Sequence, residues 1–174
     1  VFHTGILKEM ELICDDPIFV GHLDDDEHEI KFRNDVNGVL KVWKTPRKGK
    51  RYMITADVAG GIGDIRGMDP YDLQNRCWSV GCVFDRSSWE VVSELRLRCD
   101  PGEFGRMLIT LGEYYNWAIL APEANNCGQA TLEAIREAGY PHIFKNDEIS
   151  DSNKKDYGFL TTERTKILSL TALR

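Results

Sequence analysis

Tyr52-Met53-Ile54-Thr55-Ala56-Asp57-Val58-Ala59-Gly60-Gly61, running on to Gly67-Met68-Asp69, is the stretch on which the reading of this chain turns. The apolar run before Asp57 predicts a short buried strand. It delivers one carboxylate at its end, directly before a glycine-rich turn that carries a second carboxylate at Asp69. Burial raises the cost of ionising a carboxylate unless a cation or a set of donors compensates. Three compensators are open at this point: a bound metal ion, a phosphate-binding loop beside the acid, or a plain structural turn.

The 174 residues, 42% of them hydrophobic and 10% aromatic, can bury one core and are most simply one domain. No apolar run approaches the ~20 residues of a membrane span, and no charged-then-apolar leader is present, so a soluble chain is expected. It opens on Val1 and stops at Arg174 inside a helical pattern, which leads us to expect a piece of something longer. Five cysteines, Cys14, Cys77, Cys82, Cys99 and Cys127, have no C-x-x-C spacing and no zinc-finger histidines, and fit the reduced thiols of a cytosolic protein. A net charge of -6 argues against a nucleic-acid binder with a broad basic surface. It leaves a nuclease open, because sites for divalent metals concentrate acids and the metal then faces the phosphate.

Working outward toward the N-terminus, Pro46 to Lys50 leads into the central strand as a basic turn, Arg47-Lys48-Gly49-Lys50-Arg51, with solubility or phosphate contact as its alternatives. Asn37-Gly38 is a two-residue hairpin signal between Ile30–Phe32 and Val39–Trp43. Asp24-Asp25-Asp26-Glu27 predicts a solvated acidic loop, and Ile6–Cys14 has helical spacing.

Toward the C-terminus, Cys77–Phe84 and Glu90–Arg98 predict two strands around an Asp85–Ser88 turn, which completes an antiparallel meander with the opening strand. Asp100-Pro101-Gly102-Glu103 is a helix start, with Asp as N-cap and Pro at the first position. Phe104, Met107, Leu108, Leu111 and Tyr115 then form a stripe suited to packing on a sheet. Trp117–Glu123 predicts a fourth strand, again ending in a carboxylate, and Gly128–Ala138 a helix stopped by Gly139. His142–Phe144 predicts a fifth, short strand, and Thr161 or Thr162 caps a last helix through Lys166 to Leu170.

Strand, strand, strand, helix, strand, helix, strand, helix is the order of the α/β ribonuclease H-like fold, a mixed sheet whose first and fourth strands lie parallel and adjacent. Asp57 and Glu123 then end side by side. Two like charges ~4 Å apart repel by about 1 kcal/mol in water and about 4 kcal/mol at an effective dielectric of 20. A divalent cation relieves that strain, and two metals bridged by a shared carboxylate suit hydrolysis of a phosphodiester.

Tyr52–Gly61 with Gly67-Met68-Asp69, Tyr114–Gly128 around Glu123-Ala124-Asn125-Asn126, and Tyr157-Gly158-Phe159-Leu160-Thr161-Thr162 followed by Lys166 resemble the nuclease domain of large terminase subunits, the DNA-packaging motors of tailed bacteriophages. The resemblance runs from about Gly38 to the C-terminal helix, so residues 38–174 are expected to be the nuclease domain. Residues 1–37 are then the lead-in that follows an ATPase domain. It implies a metal-dependent endonuclease that uses Mg²⁺ or Mn²⁺ to cut concatemeric viral DNA during packaging, in the cytoplasm of an infected or lysogenic bacterium. The implied partners are double-stranded DNA and, in the full-length protein, the ATPase domain, the portal and a small terminase subunit; no membrane is implied. Asp57 and Glu123 match the family's catalytic, metal-holding acids, and Asp69 a further acid after the glycine turn. Asn125 and Asn126, at the turn into the next helix, are implied to position the acid or to donate to a DNA phosphate, and equally suit capping of the helix entry; Lys166 is a further implied DNA contact.

Two departures from the family bear on function. No G-x-x-x-x-G-K-[ST] occurs, so the ATPase half is absent from this sequence. The family's third carboxylate should lie beyond Arg174, since Asp147, Glu148, Asp151 and Asp156 do not match it; a chain ending there is expected to bind metal weakly and to cleave poorly. The rivals are another ribonuclease H-like nuclease of the resolvase or transposase type, an actin-like nucleotide-binding domain built on Asp57–Gly61, and a non-enzymatic interaction domain.

Overall fold

Burial alternates along the central strands residue by residue, and that alternation separates the two faces of one sheet. The computed structural model describes residues 4–26, 29–60, 77–145, 157–163 and 165–166. Its elements are α1 (Thr4–Leu12), β1 (Phe19–Asp26), β2 (Glu29–Asn34), β3 (Leu40–Val42), β4 (Tyr52–Asp57), β5 (Ser79–Asp85), β6 (Val91–Leu97), α2 (Pro101–Tyr114), β7 (Ile119–Pro122) and α3 (Gly128–Glu137). The seven strands form one sheet in the order β2-β1-β3-β6-β5-β4-β7. β4, β5 and β6 are the expected antiparallel meander, and β7 lies parallel to β4 from Met53 opposite Ile119 to Ala56 opposite Pro122. This is the mixed α/β sheet of the ribonuclease H-like fold.

One face carries the core. Tyr52, Ile54 and Ala56 of β4, Val83 of β5, and Leu95 and Leu97 of β6 are buried, and α2 lays Phe104, Leu108 and Leu111 among them in the same cluster. Burying each such side chain contributes about 1.5–3 kcal/mol. The start of α2 is set as its sequence predicts: the Asp100 carboxylate accepts from the Gly102 and Glu103 amides at 2.8 and 3.3 Å. At the far end Tyr115 is fully buried, edge-on to Tyr52, and donates to the Lys44 carbonyl at 2.9 Å. The opposite face holds Met53, Thr55 and Asp57, then Val80 and Cys82, then Glu94 and Arg96, all partly or fully exposed.

Several expectations are corrected in the N-terminal part. Asn37-Gly38 does not join two paired strands, because β1 lies between β2 and β3 and pairs antiparallel with both. The turn instead crosses β1, and a Cβ at Gly38 would overlap the Gly21 backbone, so glycine serves close approach there. Asp24, Asp25 and Asp26 are not in a loop but at the exposed end of β1, paired with β2, where Arg33 Nε donates to Asp24 at 2.6 Å. Charged side chains on an edge hairpin keep it from pairing with other chains. α1 forms where periodicity places it, yet none of its residues is buried.

Smaller differences lie downstream. β5 begins at Ser79, after Cys77 and Trp78, and His142–Phe144 makes only an isolated parallel bridge, Leu120 with Ile143. Thr162 caps the last helix: its hydroxyl accepts from the Thr165 amide at 3.1 Å and its own amide donates back to the Thr165 hydroxyl at 2.8 Å. Gly61 to Asp69, the acids Asp147, Glu148, Asp151 and Asp156, and the helix beyond Lys166 lie outside the described residues. Among the described residues no helix is long and apolar enough to cross a membrane.

Candidate active site

The parallel register of β4 and β7 brings the two strand-end acids together. Thr55 faces Ala121 and Ala56 faces Pro122, and the Glu123 amide donates to the Ala56 carbonyl at 2.8 Å, so the ladder carries one residue further and sets Glu123 beside Asp57. Alternation places both on the face opposite α2. The Asp57 carboxyl is held above the ordinary carboxylate range by partial burial first, then by the negative charge and side-chain contact of Glu123; the Val58 amide acts the other way. Two carboxylates in hydrogen-bond reach cannot both ionise freely without a cation.

The Glu123 side chain is positioned from three directions. Asn125 Nδ2 donates to Glu123 Oε1 at 2.9 Å and also to the Thr161 carbonyl at 2.9 Å, tying the acid to the segment after Tyr157. That segment runs parallel beside the end of β7: Phe159 N–H donates to the Pro122 carbonyl at 3.0 Å, and Ala124 N–H to the Phe159 carbonyl at 2.8 Å. α3 then begins so close beneath the strand end that a Cβ at Gly128 would fall inside the Glu123 carbonyl oxygen. On the Asp57 side, the Ala59 amide donates to the buried Ser79 hydroxyl at 3.1 Å, which directs the chain as it leaves the strand.

Asp57 and Glu123 border a cleft of about 350 Å³ whose floor is Thr55, Val80, Cys82 and Ala121 and whose wall includes Phe144, Phe159 and Thr161. The acidic oxygens suit a hard divalent cation such as Mg²⁺ or Mn²⁺ better than a thiolate-seeking metal. Asp57 and Glu123 stand in side-chain contact at adjacent strand ends, two carboxylates whose repulsion such a cation would relieve, so the donor set fits one. Among the described residues no group of three or more His, Cys, Asp or Glu side chains forms a metal cluster.

The other residues singled out in the sequence are distributed unevenly. Asn125 sits against Glu123, whereas Asn126 is exposed in the left-handed region at φ 43°, a conformation that asparagine tolerates better than most residues. Lys166 is exposed in the first turn after Thr162, with its amide bonded to the Thr162 carbonyl at 2.9 Å. Asp69 lies outside the described residues. The basic turn Arg47–Arg51 enters the opposite end of six-residue β4, about 17 Å from Asp57 at ~3.4 Å per residue. There Asn116 Nδ2 donates to the Arg47 and Lys50 carbonyls at 2.8 and 3.1 Å, and Lys50 pairs with Asp85 at 3.2 Å, so the turn closes the fold. Phe144, Phe159 and the Thr161 carbonyl were not singled out as site groups, since apolar and backbone atoms carry no chemical signature in a sequence.

No protein-family model matches the sequence, and no curated protein matches it. Solved structures do match. The large terminase nuclease from thermophilic phage G20c with bound magnesium superposes with a TM-score of 0.55 at 14% identity over 89% of this chain and 62% of that one. The same nuclease with bound cobalt gives 0.52 at 16% identity over 89% and 63%. The chain thus spans less than two thirds of the length of each of these neighbours. At such identities the likeness is one of fold: the chain has the fold of the large terminase nuclease domains.

Proposed function

We propose that this chain is a metal-dependent DNA endonuclease of the large-terminase type, which cleaves concatemeric viral DNA during packaging. The observation that carries the reading is the meeting of Asp57 and Glu123 on one face at the ends of two parallel strands, where partial burial first and the Glu123 charge second raise the Asp57 carboxyl. The match in fold to a nuclease crystallised with magnesium supports it. In this reading Asp57 and Glu123 would hold the divalent ions of a two-metal centre. Bound there, Mg²⁺ or Mn²⁺ supplies a water of lowered pKa and charge stabilisation for the phosphoryl oxygens.

The chain's own groups do the rest. Asn125 keeps the Glu123 carboxylate from rotating away from Asp57 by holding Oε1. Asp69 serves as a further acid of the site, and Asn126 and Lys166 contact the DNA backbone. Residues 38–174 are the nuclease domain, and residues 1–37 follow the ATPase domain of a full-length protein that works with the portal and a small subunit in the host cytoplasm. The first test is calorimetric titration of Mn²⁺ and Mg²⁺, followed by nicking of supercoiled plasmid. Binding and nicking are lost together in Asp57→Asn and Glu123→Gln; divalent binding that survives both substitutions refutes the assignment.

A further inference from the structure

The open face carries a second group of side chains next to the acids. Asp57 on β4 pairs with Val80 on β5, and Val80 pairs with Arg96 on β6, so the three form one row across the sheet and project to one side. Two interstrand steps of ~4.8 Å put the Arg96 backbone about 10 Å from that of Asp57. Trp78 immediately precedes β5 and is 41% exposed, a large aromatic left at the surface. The guanidinium carbons of Arg96 and Arg98 lie 4.8 and 4.2 Å from the centre of its ring.

One indole holding two arginines is a means of preorganising positive charge. A guanidinium stacked on an aromatic ring loses less rotamer freedom on meeting an anion and keeps its edge N–H groups for a planar, bidentate acceptor. The nearest acid on the same strand, Glu94, faces Lys41 at 3.8 Å on the neighbouring strand, so the face is not neutralised from that side. Arg96 stands two strands from Asp57 in the same row, over the Trp78 ring. In a chain of net charge -6 a basic, aromatic patch two strands from the acids is a local feature, not part of a general basic surface.

We propose that Trp78, Arg96 and Arg98 form a phosphate-binding platform for duplex DNA, with Arg96 contacting the backbone of the strand whose scissile bond lies at Asp57 and Glu123. This rests on the nuclease reading for its substrate. A separation of about 10 Å from Asp57 places the phosphate held within a few nucleotides of the scissile one on the same strand. Arg98, half-buried, steadies the indole, and Arg96, exposed, makes the contact. The contact is to phosphate and therefore indifferent to sequence.

The test uses the full chain carrying Asp57→Asn, so that DNA is not cut, and a dye-labelled duplex in fluorescence anisotropy from 50 to 200 mM KCl. Adding Arg96→Gln lowers the slope of log K against log salt by about 0.9. Over that fourfold range its affinity then falls about 3.5-fold less than that of the parent, equally for duplexes of unrelated sequence. Arg96→Lys keeps the slope, and Trp78→Phe removes the change in tryptophan fluorescence that DNA causes in the intact chain. An unchanged slope in Arg96→Gln together with an unchanged fluorescence response in Trp78→Phe overturns the proposal, as does a parent that binds no duplex. Loss of the nuclease reading shows separately, as an absence of Mn²⁺ binding in the chain with Asp57 intact while the Arg96-dependent slope persists.

Discussion

Replacing Asp57 by Asn in the metal-free protein should stabilise it, and the size of that effect follows from the sheet. Asp57 and Glu123 stand on adjacent strands, ~4.8 Å apart in the ladder direction. Two unit charges at that distance repel by about 0.9 kcal/mol in water and about 3.5 kcal/mol at an effective dielectric of 20. Asp57 is exposed at the surface although its carboxyl is partly desolvated, so the interaction lies near the water limit and about 1 kcal/mol is the expected relief. For a chain of this length that corresponds to a rise of about 2–4 °C in Tm. The sign of the pH dependence is also set. Because the native carboxyl titrates above its ordinary value, the folded state binds more protons than the unfolded one between the two pKa values. Stability therefore falls as pH rises through that window, and Asp57→Asn abolishes the fall. Scanning fluorimetry with EDTA at pH 4 and at pH 8 reads it: the variant matches the parent at pH 4 and melts higher at pH 8. Millimolar Mn²⁺ then raises the parent and leaves the variant unmoved. A variant destabilised equally at both pH values, or stabilised by Mn²⁺ as much as the parent, would refute the reasoning.

Three further outcomes follow from the surroundings of the pair. Asn125→Ala removes a hydrogen bond to a charged oxygen and a tie to Thr161, and should cost about 1.5–3 kcal/mol in urea unfolding while weakening Mn²⁺ binding; unchanged metal affinity would show that Glu123 does not need the tether. Gly128→Ala forces the start of α3 away from the Glu123 carbonyl, at about 1–3 kcal/mol, and should disturb metal binding with Asp57 and Glu123 both present. Burial pushes the Cys99 thiol up to about 11, so at pH 8 a disulfide reagent should modify exposed Cys14 and Cys77 and leave Cys99 unreacted until the chain is unfolded.

Much of this was legible because local and global signals agree around the site. Asp100-Pro101 announces α2, the stripe from Phe104 to Leu111 announces the face it covers, and two apolar strands each ending in an acid announce the pair. The order of elements then places those strands side by side, which residue chemistry alone does not. The N-terminal hairpin was misread for the opposite reason. Asn37-Gly38 carries a true turn signal, but a turn signal says where the chain bends and not which strands pair, and β1 inserts between the two it separates. Asp24–Asp26 carries no strand signal because the end of β1 that runs past β3 has no buried face to impose alternation. The role of Asn125 stayed ambiguous because a helix-entry cap and a carboxylate tether use the same amide, and only the position of Thr161 distinguishes them.

Strand parity joins the core and the site into one constraint. In β4 the even positions Tyr52, Ile54 and Ala56 enter the core, so the odd positions Met53, Thr55 and Asp57 are committed to the open face. The same parity runs across the sheet, sending Val80 and Cys82 of β5 and Glu94 and Arg96 of β6 to that face. A one-residue slip of β6 would drive a charge such as Arg96 or Glu94 into the apolar layer under α2, which burial energetics forbids. The register that positions acid beside acid, and arginine two strands away in the same row, is therefore enforced by Ile54, Val83, Leu95 and Leu108 on the other side of the sheet. Substitutions in that core should act on the site through register, so that a core variant which remains folded also keeps Asp57 and Glu123 in place.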